Sequence, residues 1–235
     1  MKILIDEKGN VSSWKQGDFH SLFGVIKEKD LTSGIIQSHL GKKFLCFDAF
    51  FVDRVLALDK GPAALTLKDV GTILAHTGLG KEHTVVEAGT GAGRLTSFLA
   101  HVCKKVISYE NNETHFKIAQ KNISTLGLKN VTLKNQDLFL GILEKKVDIL
   151  VLDLLHAEKA LSVCQKNIVS GGFVVAFLPQ ITQVQTFVLE AQRLGFYVSD
   201  VIETLERHWI VEEQKLRPEH QMLGHTAFLV FLRKV

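Results

Sequence analysis

A glycine-rich turn between an apolar run and a helical pattern places the strongest constraint on how this chain can fold. The segment from Val85 to Leu95 reads VVEAGTGAGRL, with glycines at Gly89, Gly91 and Gly93. Glycine lets a backbone approach a ligand closely, and the free amide groups at the start of a helix donate hydrogen bonds to it. The segment therefore predicts a strand, a ligand-binding turn and a helix.

From Lys68 onward, strand-like and helix-like patterns alternate along the chain. We predict strands at Thr84–Ala88, Lys105–Glu110, Val131–Asn135, Val147–Asp153 and Phe173–Leu178, with two long closing strands at Phe196–Glu206 and Thr226–Leu232. We predict helices over Arg94–Val102, Glu113–Leu126, 181–194 and His156–Ile168, the last of these ended by Ser170, Gly171 and Gly172. Repeated strand–helix units imply an α/β fold with a parallel sheet and helices on both faces.

The N-terminal part of the chain has a different pattern. Short apolar or alternating runs cover Lys2–Ile5, Phe19–Ile26, Ile35–Leu40 and Lys43–Leu58, with turn residues between them. Such runs are typical of a small β-rich unit, of which a compact barrel is one form. A break at Lys60-Gly61-Pro62 divides the chain, so we expect domains over residues 1–62 and 63–235.

Composition excludes several classes of protein. With 235 residues, of which 46% are hydrophobic and 23% charged, the chain can bury a sizeable core and is not disordered. Its most apolar stretch, Gly171 to Pro179, is far shorter than the roughly 18 residues that span a membrane. Asp6 and Glu7 interrupt any signal-peptide core near the start. We therefore expect a cytoplasmic protein with no membrane partner.

The cysteines and histidines do not form metal-binding patterns. Cys46, Cys103 and Cys164 are odd in number and far apart, which is typical of free, buried thiols in a reducing compartment. The ten histidines show no HxxxH or similar spacing, so we expect no metal. A net charge of +3 is compatible with a nucleic-acid partner but does not by itself indicate one.

Acidic residues accompany the predicted strands at the sheet edge where open α/β folds bind ligands. Glu87 precedes the glycine turn, Glu110 ends the second strand and Asp137 lies just beyond the third. An acid in the position of Glu110 can accept hydrogen bonds from both ribose hydroxyls of a nucleoside. Asp153 ends the fourth strand, where the alternative is a cap for the next helix.

The turn and the C-terminal third of the chain resemble a known family. Glu87 followed by GxGxG resembles the first motif of class I S-adenosylmethionine-dependent methyltransferases. The segments ERHW, ending at Trp209, and LRPEHQMLGHT, ending at Thr226, resemble the closing signature of tRNA adenine-58 N1-methyltransferases. Two further segments, Pro179–Val184 and, loosely, Thr66–Asp69, are similar to that family's Pro-x-x-x-Gln-Val and Pro-Lys-Asp segments.

This resemblance covers essentially the whole chain and implies both fold and function. The implied fold is a Rossmann-like methyltransferase domain with a mostly parallel sheet and an antiparallel closing strand, preceded by a small barrel-like β domain. The implied activity is transfer of a methyl group from S-adenosylmethionine to N1 of adenine 58, with or without its neighbour, in the T-loop of tRNA. The implied assembly is a homotetramer.

The resemblance also implies the site residues. Asp153 is the expected catalytic residue, since a carboxylate that accepts a hydrogen bond from the adenine 6-amino group orients N1 and stabilises the cationic product. The expected cofactor-binding residues are Glu87, Gly89, Thr90, Gly91, Gly93, Arg94, Leu95, Glu110, Asp137, Leu138 and Asp153. The expected tRNA-binding residues are Thr66, Arg207, Trp209, Arg217, His225 and Thr226.

Two departures from the family pattern keep alternatives open. The pattern Asp-x-Pro-x-Pro-Trp is replaced by Asp153 followed by LLHAE, and an aromatic residue or histidine is replaced by Thr66. The loss of the prolines favours a methyltransferase with another target, such as another RNA position, a protein or a small molecule. A non-catalytic tRNA-binding partner subunit is disfavoured by the three intact glycines, and a dehydrogenase by their spacing.

Overall fold

The computed structural model describes residues 1–61 and 65–235, which divide into two units, Met1–Leu58 and Asp59–Val235. The expected boundary between residues 62 and 63 lies outside the described residues. No helix within the described ranges is both long and apolar enough to cross a membrane. The three cysteines are buried and unpaired.

The first unit is β-rich, as expected. Its elements are β1 (Lys2–Asp6), β2 (Val11–Trp14), β3 (Phe19–Ser21), β4 (Gly24–Ile26), β5 (Gly34–Gln37), β6 (Lys43–Asp48) and α1 (Phe51–Leu56). Strands in the order β2-β1-β6-β5 form one antiparallel sheet, and β3 pairs with β4 in a second. A core that includes Leu4, Phe19, Ile26 and Phe44 joins the two sheets.

The run Lys43–Leu58 is not one strand-like segment but a strand followed by a helix. The chain leaves β6 after Asp48, and the Phe50 amide donates a hydrogen bond of 2.9 Å to Asp53 Oδ2 at the start of α1. This side-chain acceptor satisfies an amide that has no partner within the helix. The alternating pattern alone did not reveal this change of structure.

The second unit is the predicted α/β domain. Its strands are β7 (Thr84–Ala88), β8 (Lys105–Tyr109), β9 (Val131–Lys134), β10 (Val147–Leu152), β11 (Ile168–Leu178), β12 (Phe196–Ile202), β13 (Trp209–Glu212), β14 (Lys215–Pro218) and β15 (Phe228–Lys234). Its helices are α2 (Leu67–Thr77), α3 (Arg94–Val102), α4 (Glu113–Leu126), α5 (Ala157–Cys164) and α6 (Ile181–Arg193).

Seven of these strands form one sheet in the order β12-β15-β11-β10-β7-β8-β9. The pairs from β11 to β9 are parallel, and β15 runs antiparallel to both of its neighbours. This is the Rossmann-like methyltransferase fold with an antiparallel closing strand that the sequence predicted. β7 and β10 are neighbours although β8 and β9 intervene in the chain, so the strand order reverses between them.

The core lies on both faces of this sheet because successive strand residues point to opposite sides. On one face, Val86 and Leu150 belong to the cluster that contains Leu161 of α5 and Phe187 of α6. On the other face, a second cluster contains residues of the same strands together with side chains of α2 and α3. Both faces of the parallel strands are therefore buried, which explains their continuous apolar runs.

The predicted helix His156–Ile168 is wrong at its C-terminal end. α5 ends at Cys164, a short 3₁₀ turn spans Gln165–Asn167, and Ile168 already begins β11. Gly171 and Gly172 lie inside β11, where the pairing with β10 shifts register, and Gly171 has φ of +77°. The glycines thus permit a bulge in a strand and do not end a helix.

The closing strands are shifted from their predicted bounds. They cover Phe196–Ile202 and Phe228–Lys234, so the chain leaves the sheet earlier and rejoins it later than expected. The intervening segment contains the β13–β14 hairpin, which the sequence pattern did not predict. Val211 of β13 pairs with Leu216 of β14, and both side chains are exposed.

Candidate active site

A cleft of about 540 Å³ lies at the carboxyl ends of β7, β8, β9 and β10. Ligands bind at this edge in open α/β sheets, next to the point where the strand order reverses. Nine of the predicted cofactor-binding residues line the cleft, namely Gly89, Thr90, Gly91, Arg94, Leu95, Glu110, Asp137, Leu138 and Asp153. Glu87 and Gly93 do not line it.

The glycine turn requires glycine at Gly89. Its φ is +94°, and a Cβ added there would overlap the carbonyl oxygen of Asp153. The Gly89 and Thr90 amides donate hydrogen bonds of 3.0 and 3.3 Å to the Tyr109 carbonyl oxygen, which ties the turn to the end of β8. Gly93, with φ of +83°, is the residue that precedes α3. The turn is thereby tied to the end of β8, and at Gly89 it lies against the backbone of Asp153.

Glu110 is a buried carboxylate whose orientation is fixed by the backbone. Its Oε2 accepts a hydrogen bond of 2.9 Å from the Gly91 amide, and its Oε1 accepts one of 2.9 Å from the Asn112 amide. The His115 Nδ1 atom lies 4.0 Å from Oε1. Each carboxylate oxygen can accept a second hydrogen bond, so Glu110 can still bind two ligand hydroxyl groups.

Glu87 lies at the end of β7 and is 1% exposed. Thr96 donates a hydrogen bond of 2.6 Å to its Oε2, while Oε1 has no partner among the described residues. Burial, together with the negative charges of Asp153 and Glu110, raises the pKa of Glu87 to about 7. Glu87 is therefore an internal titratable group next to the turn, without direct contact with the cleft.

Asp153 is a half-buried acid at the end of the cleft that follows β10. Its amide donates a hydrogen bond of 2.9 Å to the Ala88 carbonyl oxygen, which fixes the backbone after β10. Within residues 1–61 and 65–235, its carboxylate has no hydrogen bond or ion pair. Burial and the negative charge of Glu110 raise the pKa of Asp153 to about 6. A carboxylate in this position can accept a hydrogen bond from a ligand in the cleft.

Asp137 and Leu138 form the end of the cleft after β9. Asp137 Oδ1 accepts a hydrogen bond of 2.9 Å from the Phe139 amide and so caps the 3₁₀ turn Leu138–Leu140. The second carboxylate oxygen of Asp137 remains available to a ligand, and Leu138 is almost fully buried. This end of the cleft combines one hydrogen-bond acceptor with apolar walls.

Tyr109 lines the cleft and belongs to a polar cluster with Lys134 and Glu144. Its hydroxyl group donates a hydrogen bond of 2.5 Å to Glu144 Oε2. The Lys134 ammonium group lies 3.0 Å from the Tyr109 hydroxyl oxygen and 2.5 Å from Glu144 Oε1. These contacts connect the ends of β8 and β9 to the segment that leads into β10 and so fix Tyr109 in the lining of the cleft.

Arg94 is the only lysine or arginine among the described residues that line the cleft. It is half-buried in the first turn of α3 and forms no hydrogen bond or ion pair within the described part of the chain. Glu110, Asp137 and Asp153 line the same cleft. An unpaired cation near three acids can bind the negative group of a ligand that also carries positive charge.

None of the six residues predicted to bind tRNA lines the cleft. Two of them, Thr66 and Thr226, belong to a network at the start of α2, and a third, His225, adjoins it. Thr66 Oγ1 donates a hydrogen bond of 2.8 Å to Asp69 Oδ2, and the Lys68 ammonium group donates to Asp69 Oδ1 and Thr226 Oγ1, each at 2.6 Å. His225 lies beside Thr226, and its ring nitrogens contact Glu203 and the Pro179 carbonyl oxygen.

The other three residues lie at the β13–β14 hairpin. Trp209 begins β13, pairs with Pro218 and is exposed. Arg217 belongs to β14, and its guanidinium group donates a hydrogen bond of 3.1 Å to the Pro218 carbonyl oxygen. Arg207 is an exposed residue just before β13. The structure therefore separates the predicted tRNA-binding residues into a group at the start of α2 and an exposed hairpin.

The structure also adds cleft residues that the sequence reasoning missed. They are Leu65, Ala88, Ala92, Tyr109, Asn111, His115, Gln136, Phe139, Leu154, Leu155 and His156. Most stand within a few residues of a predicted acid, so the loop after each strand was the available signal. Asp69 is fully buried. The sequence predicted no role for it beyond its place in a segment similar to a family motif. No group of His, Cys, Asp and Glu within the described ranges has an arrangement that could hold a metal ion.

Comparison with known proteins agrees with this geometry. Residues 55–222 match the family described as tRNA methyltransferase complex GCD14 subunit. The chain belongs to this family. A relative from Methanocaldococcus jannaschii, named tRNA (adenine(57)-N(1)/adenine(58)-N(1))-methyltransferase TrmI, is 30% identical over 99% of this chain and 94% of its own length.

Two solved structures are similar to this GCD14-family protein over its whole length. The tRNA (m1A58) methyltransferase TrmI from Aquifex aeolicus has a TM-score of 0.83 at 26% identity, covering 100% of this chain and 96% of its own. A protein from Thermotoga maritima described as a SAM-dependent O-methyltransferase has a TM-score of 0.91 at 27% identity, covering 100% and 92%. The family membership makes this chain an S-adenosylmethionine-dependent methyltransferase.

Proposed function

We propose that this protein transfers the methyl group of S-adenosylmethionine to N1 of adenine 58, with or without the neighbouring adenine, in the T-loop of tRNA. The observation that carries the proposal is Asp153, a half-buried carboxylate without an internal partner that lies beside the glycine turn. The family match and the full-length similarity to TrmI proteins support the same substrate.

The cleft residues fit S-adenosylmethionine in charge and in hydrogen-bonding capacity. When bound, this cofactor supplies a methyl group on a positively charged sulfur. Glu110 is suited to accept hydrogen bonds from the two ribose hydroxyls, because its two oxygens are already oriented by backbone amides. Asp137 can accept a hydrogen bond from the adenine amino group, and Leu138 lies next to it.

The amino-acid end of the cofactor carries one negative and one positive group. Arg94 is the cation suited to the carboxylate, because it lacks an internal partner in the cleft. The acids of the cleft are suited to the ammonium and sulfonium groups, since opposite charges attract strongly where water is partly excluded. Glu87 lies next to the turn, and its raised pKa of about 7 makes its charge dependent on pH in the neutral range.

Asp153 is the proposed catalytic residue. Adenine N1 is a neutral nucleophile, so its attack on a methyl group needs orientation and a nearby negative charge but no strong base. The Asp153 carboxylate would accept a hydrogen bond from the 6-amino group, which orients N1 and stabilises the cationic base that forms. The adenine must leave its stack to reach the cleft, at a cost of a few kcal/mol.

The proposed tRNA contacts divide into two kinds. Arg207, Trp209 and Arg217 lie at the hairpin, where cationic and aromatic side chains can contact phosphates and bases. Thr66, His225 and Thr226 belong to or adjoin the network around Asp69, where they would shape the rim of the substrate site. Loss of a phosphate contact should weaken binding of all tRNAs and reduce its dependence on salt.

We also propose that the protein acts as a homotetramer in the cytoplasm. The exposed Val211 and Leu216 side chains are neighbours on the hairpin and would be covered by another copy of the chain. Three buried, unpaired cysteines suit a reducing compartment. Sedimentation analysis of the wild type and of a V211E/L216E variant tests the assembly, which should dissociate in the variant. A monomeric wild type would contradict it.

The function is tested with labelled S-adenosylmethionine and an unmodified tRNA transcript. We expect label in 1-methyladenosine, mapped to position 58 alone or with its neighbour. A transcript with uridine at position 58 is the matched control and should lose the position-58 product. Binding of the cofactor without methylation of tRNA would support the alternative of another substrate, and no binding of the cofactor would support a non-catalytic partner subunit.

A further inference from the structure

The loop between β10 and α5 carries the largest departure from the family pattern. It reads Asp153-Leu154-Leu155-His156, and all four residues line the cleft. Leu154 packs partly against the core, whereas Leu155 is exposed. The loop that holds the proposed catalytic carboxylate thus also presents a histidine to the cleft, where no proline or tryptophan constrains the chain.

His156 has an unusual backbone conformation. Its φ of +61° and ψ of +41° lie in the left-handed region. Among the described non-glycine residues, only His156 and Lys146 have a positive φ. Histidine is among the residues that adopt this conformation more often than most, but it is still less favourable than for glycine. Such strain persists where the surrounding structure imposes it, and it concentrates at ligand sites.

The His156 side chain contacts Glu158 through one ring nitrogen and is otherwise largely exposed. Its Nδ1 atom lies 3.4 Å from Oε1 of Glu158, whose side chain is 22% exposed. The imidazole itself is 56% exposed, although it lines the cleft. Glu158 occupies the position of the tryptophan in the family pattern. An aromatic ring in this loop is therefore retained, but on a different residue.

The order of the strands places His156 at one end of the cleft. The four strands whose ends form the cleft follow each other as β10, β7, β8 and β9. Asp137 follows β9, whereas Asp153 and His156 follow β10, so the two groups lie at opposite ends. If Asp137 and Glu110 bind the cofactor's adenosine, the target base must approach from the end of β10.

We propose that the His156 imidazole stacks on the unstacked target adenine and holds it next to Asp153. This inference rests on the proposed function. A ring at the rim of the cleft offers a flat surface to any base, and stacking of a base on an aromatic side chain is a common way to hold an extruded nucleotide. Glu158 fixes the edge of the ring that does not contact the base.

Two substitutions at His156 separate the ring from the backbone. H156N keeps a residue type that tolerates the left-handed conformation but removes the ring, and H156F keeps a ring. We expect H156N to raise the KM for tRNA about tenfold, since stacking on a base is worth that much or more. H156F should keep the KM near that of the wild type. Calorimetry should show unchanged affinity for S-adenosylmethionine in both variants.

K146N is the matched control. Lys146 shares the left-handed conformation but is exposed and does not line the cleft, so the KM for tRNA should not change. If the wild type is active, three results would each overturn the role of His156 while leaving the proposed function intact. They are an unchanged KM for tRNA in H156N, an equal rise of that KM in K146N, and a loss of affinity for S-adenosylmethionine in H156N. A wild type that binds the cofactor but does not methylate tRNA would overturn the proposed function and this inference with it.

Discussion

Gly89 is the position where the backbone leaves least freedom for substitution. In the G89A variant, the new methyl group would meet the Asp153 carbonyl oxygen, and φ of +94° is unfavourable for alanine. We expect a loss of about 2 kcal/mol in the free energy of unfolding and at least about tenfold weaker binding of S-adenosylmethionine, since the turn must move. Urea unfolding and calorimetry measure the two effects.

G71A is the control for this substitution. Gly71 lies in α2 with no atom within 4 Å of an added Cβ, so alanine there should stabilise the protein by about 0.5–1 kcal/mol. Its affinity for the cofactor should equal that of the wild type. If G89A bound the cofactor as tightly as G71A, the turn would not depend on glycine at this position.

Arg94 tests how the cleft recognises the amino-acid end of the cofactor. We expect the wild type to bind S-adenosylmethionine at least about tenfold more tightly than its decarboxylated analogue, because hydrogen bonds to charged groups are strong. In R94M this preference should disappear. R193M is a control, because Arg193 pairs with Glu190 on the surface. Retention of the full preference in R94M would show that another group binds the carboxylate.

The titration of Asp153 predicts a pH dependence. Its pKa is raised to about 6, and only the ionised carboxylate can accept the hydrogen bond from the adenine amino group. Activity should therefore be present above pH 6 and lost as the pH falls through about 6. Glu87 titrates nearby, so kcat/KM is measured as a function of pH in the wild type and in E87Q. Full activity at pH 5 in either protein would contradict the role of the charge.

At the scale of elements, the start of α2 is attached to the entry of β15 by a buried ion pair. Lys68 and Asp69 have side chains that are 10% and 1% exposed, and both contact Thr226 just before the strand. Removing Asp69 would leave a buried ammonium group without its partner. We expect D69A to lose about 3–5 kcal/mol in the free energy of unfolding, measured in urea.

The surface pair Lys117–Glu113 provides the contrast on α4. Both of its side chains are about two-thirds exposed, at 68% and 69%. E113A should therefore cost no more than about 0.5 kcal/mol. If D69A were as mild as E113A, the network would not hold the two elements together.

The elements with strong local signals were predictable from the sequence alone. Thr84–Ala88, Arg94–Val102 and Glu113–Leu126 have the predicted bounds. A buried parallel strand is a continuous apolar run, a glycine turn precedes the first helix, and the second helix has a cap at each end. In that second helix, the Asn112 side chain accepts hydrogen bonds from two amides, and Gly127 adopts the left-handed conformation. Local chemistry decides such boundaries.

The boundary between α5 and β11 was not predictable in this way. Gly171 and Gly172 suit a helix end and a strand bulge equally well in sequence, and the pairing of β11 with β10 decides between them. The site shows the same limit. The acids after each strand were predictable from their positions, but the left-handed backbone of His156 and the missing partner of Arg94 depend on packing.

At the scale of the whole molecule, every residue that lines the cleft belongs to the second unit. The lining runs from Leu65 to His156, within Asp59–Val235. We expect a fragment of residues 59–235 to bind S-adenosylmethionine with the affinity of the full chain, measured by calorimetry. A fragment that is folded by circular dichroism but does not bind the cofactor would show that the first unit completes the site.

The proposed function is tested most directly with the D153N variant, which keeps the size of the side chain and removes its negative charge. Formation of 1-methyladenosine in a single turnover and the affinity for S-adenosylmethionine are measured on the same preparation. We expect a loss of about 100-fold or more in the rate of methyl transfer, with a much smaller loss of cofactor affinity. A D153N variant that forms 1-methyladenosine at the wild-type rate, or that loses cofactor binding in parallel with activity, would contradict it.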